Sequence, residues 1–374
     1  MTTLPPLSGL RVLDLSTLLP GPLATLLLAE AGADVIKIER PGQGDEMRAY
    51  RPKLGEASAN YAVLNRGKRA YAANLKNPVE RDRVLEMAAA ADVVVEQFRP
   101  GVVERLGLGY QQVRAVNPGV IYCSITGYGQ HGPNATRAAH DLNYLAETGL
   151  LGVVVDRGGN PPLPPTVLAD IAAGTYPAVM NILLALRQRD ATGEGCHLDI
   201  GMTRNLQLLA YGYFATHQGG GGWPAPGSEL LTGGSPRYRV YATSDGRHVA
   251  VAALEQRFWE RLAHLLELPE EYLDERGQES AVMTAIADRI GARTADYWRK
   301  AFDGEDVCSV VVATFEEAVA AGLVDIDSED RLTGEGFDVG TLPSPVDADL
   351  RRPPGRLGYP ELGPLPDGPV WRGR

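Results

Sequence analysis

The sequence predicts an open α/β domain of Rossmann type together with a smaller α+β domain. Three observations predict it. Short apolar strands alternate with helical stretches through about the first 125 residues, at the spacing of β-α-β units. Farther on, two apolar runs flank Asp245-Gly246, the signature of a hairpin. The chain has 374 residues, 44% hydrophobic and 22% charged, a globular composition with room for two domains.

Taken in order, LRVLDL (10–15) reads as a buried strand, 22–31 as a Leu/Ala helix and DVIKIE (34–39) as a second strand. This β-α-β spacing favours a parallel sheet with right-handed crossovers. The pattern recurs as a short strand at 69–74, a helix at 79–91, and strands at 92–96 and 120–125. From 170 to about 215 the chain reads as mostly helical, interrupted by ATGEG and the short strand HLDIGM. HQGGGGWPAPGSE (217–229) reads as a Gly/Pro linker. Beyond it lie the hairpin and a helix from Glu255 to Leu266 carrying Phe258, Trp259, Leu262, Leu265 and Leu266 at helical spacing. The tail from 343 is rich in Pro and Gly and has little periodicity.

The formal net charge of −11 argues against non-specific binding to nucleic acid or membrane. Cys123, Cys196 and Cys308 are odd in number and form no CxxC pair, so a reducing cytoplasm is expected and a disulfide scaffold is not. No Cys/His cluster has zinc spacing, and no metal is expected. The start, MTTLPPLSGLRV, lacks the pattern of a signal peptide, and apolar stretches such as LATLLLAEAGA are too short to span a bilayer. The turn after the first strand is STLLPGP rather than GxGxxG, which disfavours a nicotinamide enzyme. There is no P-loop and no GxSxG elbow.

Arg40, Arg66, Lys68, Arg69, Lys76, Arg99 and Arg105 gather near strand ends in the first third of the chain. Each alone reads as solvated surface charge; their repetition points to a nucleotide-like, phosphate-bearing ligand beyond the carboxyl ends of the strands. Three acid–base candidates stand out. Asp170 immediately precedes a helix, where a carboxylate serves either as an N-cap or beside free N–H groups that hold an oxyanion. Glu255 begins a helix, as a favourable first-turn carboxylate or as a functional acid. His140, in AAHDLNYLAETG, reads by default as a core or surface histidine.

The order of LSGLRVLDLSTLLPGPLATLLLAEAGADVIKIERPGQGD, NRGKR, NLKNP, FRPGVVERLGLGY, YCSITGYGQHGP, AAHDLNYLAETG, VLAD and GGSPRYRVYATSDGRHVAVAALEQRFW resembles the family III CoA-transferases (CaiB/BaiF), and within them the α-methylacyl-CoA racemases. The resemblance runs to about residue 340. It implies an interlaced homodimer with a large Rossmann-like CoA-binding domain of residues 1–216 and 335–374, a linker at 217–229 and a small domain at 230–334. It implies an acyl-CoA thioester as substrate, coenzyme A being part of the substrate and no separate cofactor being needed. The family's catalytic groups map onto His140, paired with Glu255, on one side of Cα and onto Asp170 on the other. CoA contacts map onto Leu18, Arg40, Leu75, Lys76, Arg99, Arg105 and Tyr144.

The implied reaction is racemisation of a 2-methylacyl-CoA through an enolate, with the Asp170 N–H and nearby amides as donors to the enolate oxygen. The alternative is a CoA-transferase in which Asp170 attacks the thioester; those relatives usually carry Tyr-Asp where this chain has His140-Asp141. A non-catalytic acyl-CoA-binding protein is the reading from another class. The chain departs from the racemase pattern at Ala169-Asp170-Ile171-Ala172-Ala173-Gly174, where several glycines are usual, and at Pro226-Gly227-Ser228-Glu229. Its C-terminal segment also lacks the usual family ending.

Overall fold

The computed structural model describes residues 4–156, 158–326, 329–368 and 370–372. The chain divides into two compact units. The first comprises the described residues of Met1–Thr148, Pro165–Leu209 and Asp325–Arg374, and the second those of Gly149–Pro164 and Ala210–Val324.

The first unit is built on seven parallel strands: β1 (Arg11–Asp14), β2 (Asp34–Glu39), β3 (Arg69–Ala72), β4 (Val93–Glu96), β5 (Ile121–Thr126), β6 (Cys196–Gly201) and β7 (Leu362–Pro364). Their spatial order is β7-β3-β2-β1-β4-β5-β6. The helices α1 (Pro20–Glu30), α2 (Pro78–Ala89), α3 (Tyr110–Val116), α4 (Asp141–Glu147), α5 (Tyr176–Thr192) and α6 (Met202–Leu209) complete the frame. The strands read as nearly continuous apolar runs because both sheet faces are covered. Val12, Val93, Val95, Ile121 and Cys123 pack with Ala24 and Leu28 of α1 and Ala178 and Ile182 of α5. The alternate residues Leu13, Ile36, Val94 and Tyr122 pack on Val84 and Met87 of α2 and Val113 of α3. Strand order reverses between β1 and β4, which opens a crevice at their carboxyl ends.

Three features differ from the sequence expectations. The Pro/Gly tail supplies β7; three residues carry no readable alternation, and the tail is held instead by side chains elsewhere. Arg83 donates to the Pro366 carbonyl, Arg69 to Val370 and the Trp371 indole to Met87. The stretch expected as a linker begins with helical turns at His217–Gly221, where the backbone breaks at Gly220 (φ +89°). The helix Ala169–Thr192 has 24 residues and meets the length and composition needed to cross a bilayer, whereas the sequence reading found no such stretch. Its Ala178, Ile182, Ala185 and Leu186 fill the core against the sheet, as in a core helix.

The second unit holds the hairpin Tyr238–Ala242 and His248–Ala252, extended antiparallel by Ser309–Val311. Gly246 takes φ +78° in the turn, which suits a residue without Cβ. Tyr241, Val249 and Val251 pack against Phe258, Trp259 and Leu262 of the helix Gln256–Leu265, and Val282, Ile286, Trp298 and Phe302 complete the core.

Candidate active site

The turn after β1 is fixed from below by buried charge. Asp14, Lys37 and Asp45 are all essentially inaccessible to solvent. The Lys37 ammonium lies 3.3 Å from Asp45 Oδ2 and 3.9 Å from Asp14 Oδ1, and it donates to the Ser16 carbonyl. Lys68 reaches Asp14 at 3.2 Å and donates to Thr25, Asn65 and the Pro22 carbonyl. Burial alone would raise the Asp14 carboxyl, but the two lysines and the Ser16 and Thr25 hydroxyls hold it down at about 2. The result of this scaffold is visible at Leu18. It stands at φ +62°, uncommon for a branched residue, and its N–H donates to Asp45 Oδ2 at 3.2 Å.

Beside this turn, at the carboxyl ends of β1, β2, β3 and β4, lies a cavity of about 400 Å³. Leu15, Ile38, Leu75, Phe98, Val102 and Leu106 form its apolar walls, while Arg40 and Lys76 stand on its lining. The Arg40 Nε donates to the Gly44 carbonyl at 2.9 Å and Lys76 is exposed. Arg99 and Arg105 are exposed on the segment that carries Phe98, Val102 and Leu106. The seven cations noted in the sequence therefore separate. Arg66 is buried against Glu30 at 3.2 Å, Lys68 belongs to the Asp14 network, and Arg69 forks onto Asp34 at the amino end of β3. These three hold the fold together, while Arg40, Lys76, Arg99 and Arg105 stay exposed.

Asp170 is tied through its backbone to Asp141, the neighbour of His140 in the chain. His140 is exposed at the N-cap position of α4, and its N–H donates to Asn143 Oδ1 at 3.0 Å. Asp141 follows it, buried, and Asp141 Oδ1 accepts the Asp170 N–H at 2.9 Å. Asp170 is not a cap. It sits in the first turn of a π-helical segment, Ala169–Thr175, that leads directly into α5. Such segments recur at functional sites. Its carboxyl is half-buried and is pushed up to about 7, by burial first and then by the negative charge of Asp141. The expected oxyanion donors are already engaged: the Asp170 N–H by Asp141 and the Ile171 N–H by the Val167 carbonyl. Neither N–H is therefore free to receive an oxyanion in this arrangement.

Tyr144, one turn along α4, is 6% exposed. Its hydroxyl donates to the Ala139 carbonyl at 2.9 Å, and its ring meets Tyr128 edge-on at 5.5 Å. In this arrangement it fixes the backbone immediately before His140. Glu255 lies in the second unit, at the N-cap position of Gln256–Leu265. It is exposed and makes no capping bond with its side chain.

Asp141, Lys37 and Asp45 were not singled out from the sequence. Lys37 had a signal, a lone cation inside the apolar run DVIKIE, where a charge is buried only with partners. Asp141 had none beyond adjacency to His140.

The profile of CoA-transferase family III matches residues 7–330. Alpha-methylacyl-CoA racemase of Homo sapiens is 35% identical over 349 residues, covering 91% of this chain and 86% of that protein. Succinyl-CoA:glutarate CoA-transferase of Homo sapiens is 37% identical over 275 residues, 72% of this chain and 61% of its own length. The crystal structure of a CaiB/BaiF family protein from Brucella suis superposes with a TM-score of 0.78 at 27% identity, covering 97% of this chain and 96% of the other. Profile, sequence and fold agree that the chain is an enzyme of CoA-transferase family III.

Proposed function

We propose that the enzyme is a racemase or epimerase acting at the α-carbon of a 2-methylacyl-CoA thioester. The observation that supports this reading is Asp170, half-buried and holding its proton to about pH 7, with its backbone N–H bonded to Asp141, the residue that follows His140 in the chain. A proton α to a thioester is weakly acidic. One group must remove it and another must return a proton to the opposite face. Asp170 holds its proton up to about pH 7 and can serve as the acid on one face, with His140 as the group offered to the other. The cavity beside Leu18 would take the nucleotide end of coenzyme A, its apolar walls receiving a flat ring and Arg40, Lys76, Arg99 and Arg105 meeting phosphates. Coenzyme A belongs to the substrate, and the chemistry assigned here to these side chains calls on no further cofactor.

The working form would be a homodimer. On α5, Tyr176, Met180, Leu183 and Leu184 form an exposed apolar strip opposite the face that packs on the sheet. Leu208 and Tyr211 are each more than 70% exposed as well. Apolar area of this kind marks a surface that a second chain covers.

A second reading, CoA transfer between carboxylic acids, is favoured by the transferase relatives and by Asp170 itself, a carboxylate that either reaction would use. The discriminating experiment offers a panel of branched acyl-CoAs in deuterated water, then the same thioesters with free carboxylic acids and hydroxylamine. Deuterium at Cα supports the racemase. Movement of CoA to the acid, with a hydroxylamine-trapped adduct on Asp170 and no Cα deuterium, sinks it.

A further inference from the structure

We propose that Asp141 is a positioning residue of this site: its buried carboxylate ties the backbone of Asp170 to the residue next to His140 and sets a negative charge against the Asp170 carboxyl. The geometry carries the first half of the statement. Asp141 is the first residue of α4, so its main chain carries His140 directly. Its side chain is 8% exposed, and its Oδ1 receives the Asp170 N–H at 2.9 Å. A single side chain therefore sets the spacing of two groups that lie 30 residues apart in sequence, and it does so from a buried position where its direction cannot drift.

The same carboxylate has an electrostatic effect. A negative charge held near a half-buried carboxyl disfavours its ionisation, and Asp141 acts on Asp170 in this direction. The groups facing Asp170 come from several elements. From α4 these are Asp141 and Tyr144, whose phenol is pushed up to about 12 by burial and by Asp170 among other charges. Arg99, on the loop after β4, also acts on Tyr144. From α6, Asn205 donates to the Ala173 carbonyl, and Arg204 turns to Asp199 at 3.8 Å. From α1, Pro20 accepts the Thr175 hydroxyl at the far end of the π segment. Asp141 is the one charge that acts directly on the Asp170 carboxyl, and it acts to keep it protonated. In a two-base reaction this makes Asp170 the group that waits as the acid.

The catalytic half of this inference rests on the racemase reading, so the test separates the two. The intact protein is labelled at the aspartate carboxyl carbons with ¹³C, and the Asp170 signal is identified by its loss in Asp170→Asn. In the wild type it should titrate near pH 7. In Asp141→Asn, which keeps the shape and an acceptor oxygen but removes the charge, the midpoint should fall by about one pH unit. In the Cα exchange assay, Asp141→Asn should lower kcat about 10- to 100-fold with KM nearly unchanged, a split that lost packing alone would not give. Asp141→Ala removes the bond to the Asp170 N–H as well and should lower kcat further. An Asp170 midpoint that is the same in the wild type and Asp141→Asn overturns the inference, whatever the activity. A shifted midpoint in a protein without Cα exchange upholds the pairing and removes the racemase reading alone.

Discussion

Asp14 and Asp170 are carboxylates of the same unit, each withdrawn from solvent, and their surroundings differ in what stands nearest. Asp14 meets the ammonium groups of Lys37 and Lys68 and two hydroxyls, and it is held at about 2. Asp170 meets another carboxylate and is pushed up to about 7. Burial opposes ionisation at both positions; the sign of the neighbouring charge decides the outcome. The first arrangement locks a permanent anion under a strained turn. The second leaves a proton that can be given up and recovered at neutral pH. One carboxylate braces the turn beside the cavity and the other keeps an exchangeable proton.

The largest expected effect comes from removing the exchangeable proton. Asp170→Asn should lower racemisation at least about 10³-fold, measured by interconversion of 2R and 2S acyl-CoA epimers, the scale expected when a positioned general acid–base group is lost. Breaking the opposite cluster should act on the fold instead. Lys37→Met leaves Asp14 and Asp45 buried beside an apolar chain and should destabilise the protein by about 3–5 kcal/mol in urea unfolding. Lys37→Met measured at equal stability to the wild type would show that the cluster is not what holds the Leu18 turn.

The same pair of residues sets opposite pH dependences. The Asp170 carboxyl keeps its proton up to about 7 when folded against 3.8 when unfolded, so the folded chain binds more protons in between and loses stability as pH rises across that window. Asp170→Asn has no such proton to lose. It should match the wild type below about pH 4 and exceed it by about 2–4 kcal/mol above pH 7, read from unfolding midpoints at several pH values. The smallest expected effect lies at the cavity. Lys76→Ala should weaken coenzyme A binding about tenfold at low salt and less at high salt, by calorimetry, with no change in folding stability.

The sequence carried the frame of this molecule more fully than its chemistry. The strands β1, β2, β4 and β5 announce themselves because burial on both faces demands unbroken apolar runs, and Asp245-Gly246 announces its hairpin because the turn needs positive φ. The strand Leu362–Pro364 was not legible, since its place depends on Arg69, Arg83 and Trp371 gripping a tail that has no pattern of its own. Asp170 could be named but not placed. A π-helical segment has no sequence signature, and the bond from its N–H to Asp141 joins residues whose spacing carries no geometry. Arg66, Lys68 and Arg69 misled for a related reason: a cation near a strand end looks the same in sequence whether it faces solvent or a buried acid.

The most direct test follows the α-proton itself. Wild-type enzyme and Asp170→Asn are each given the separate 2R and 2S epimers of a 2-methylacyl-CoA in deuterated water, and Cα deuterium is read by mass spectrometry. The wild type should label both epimers. Asp170→Asn should label no more than one, since only the His140 face keeps its base. Wild-type enzyme that labels neither epimer while passing CoA to an added carboxylic acid would contradict the account.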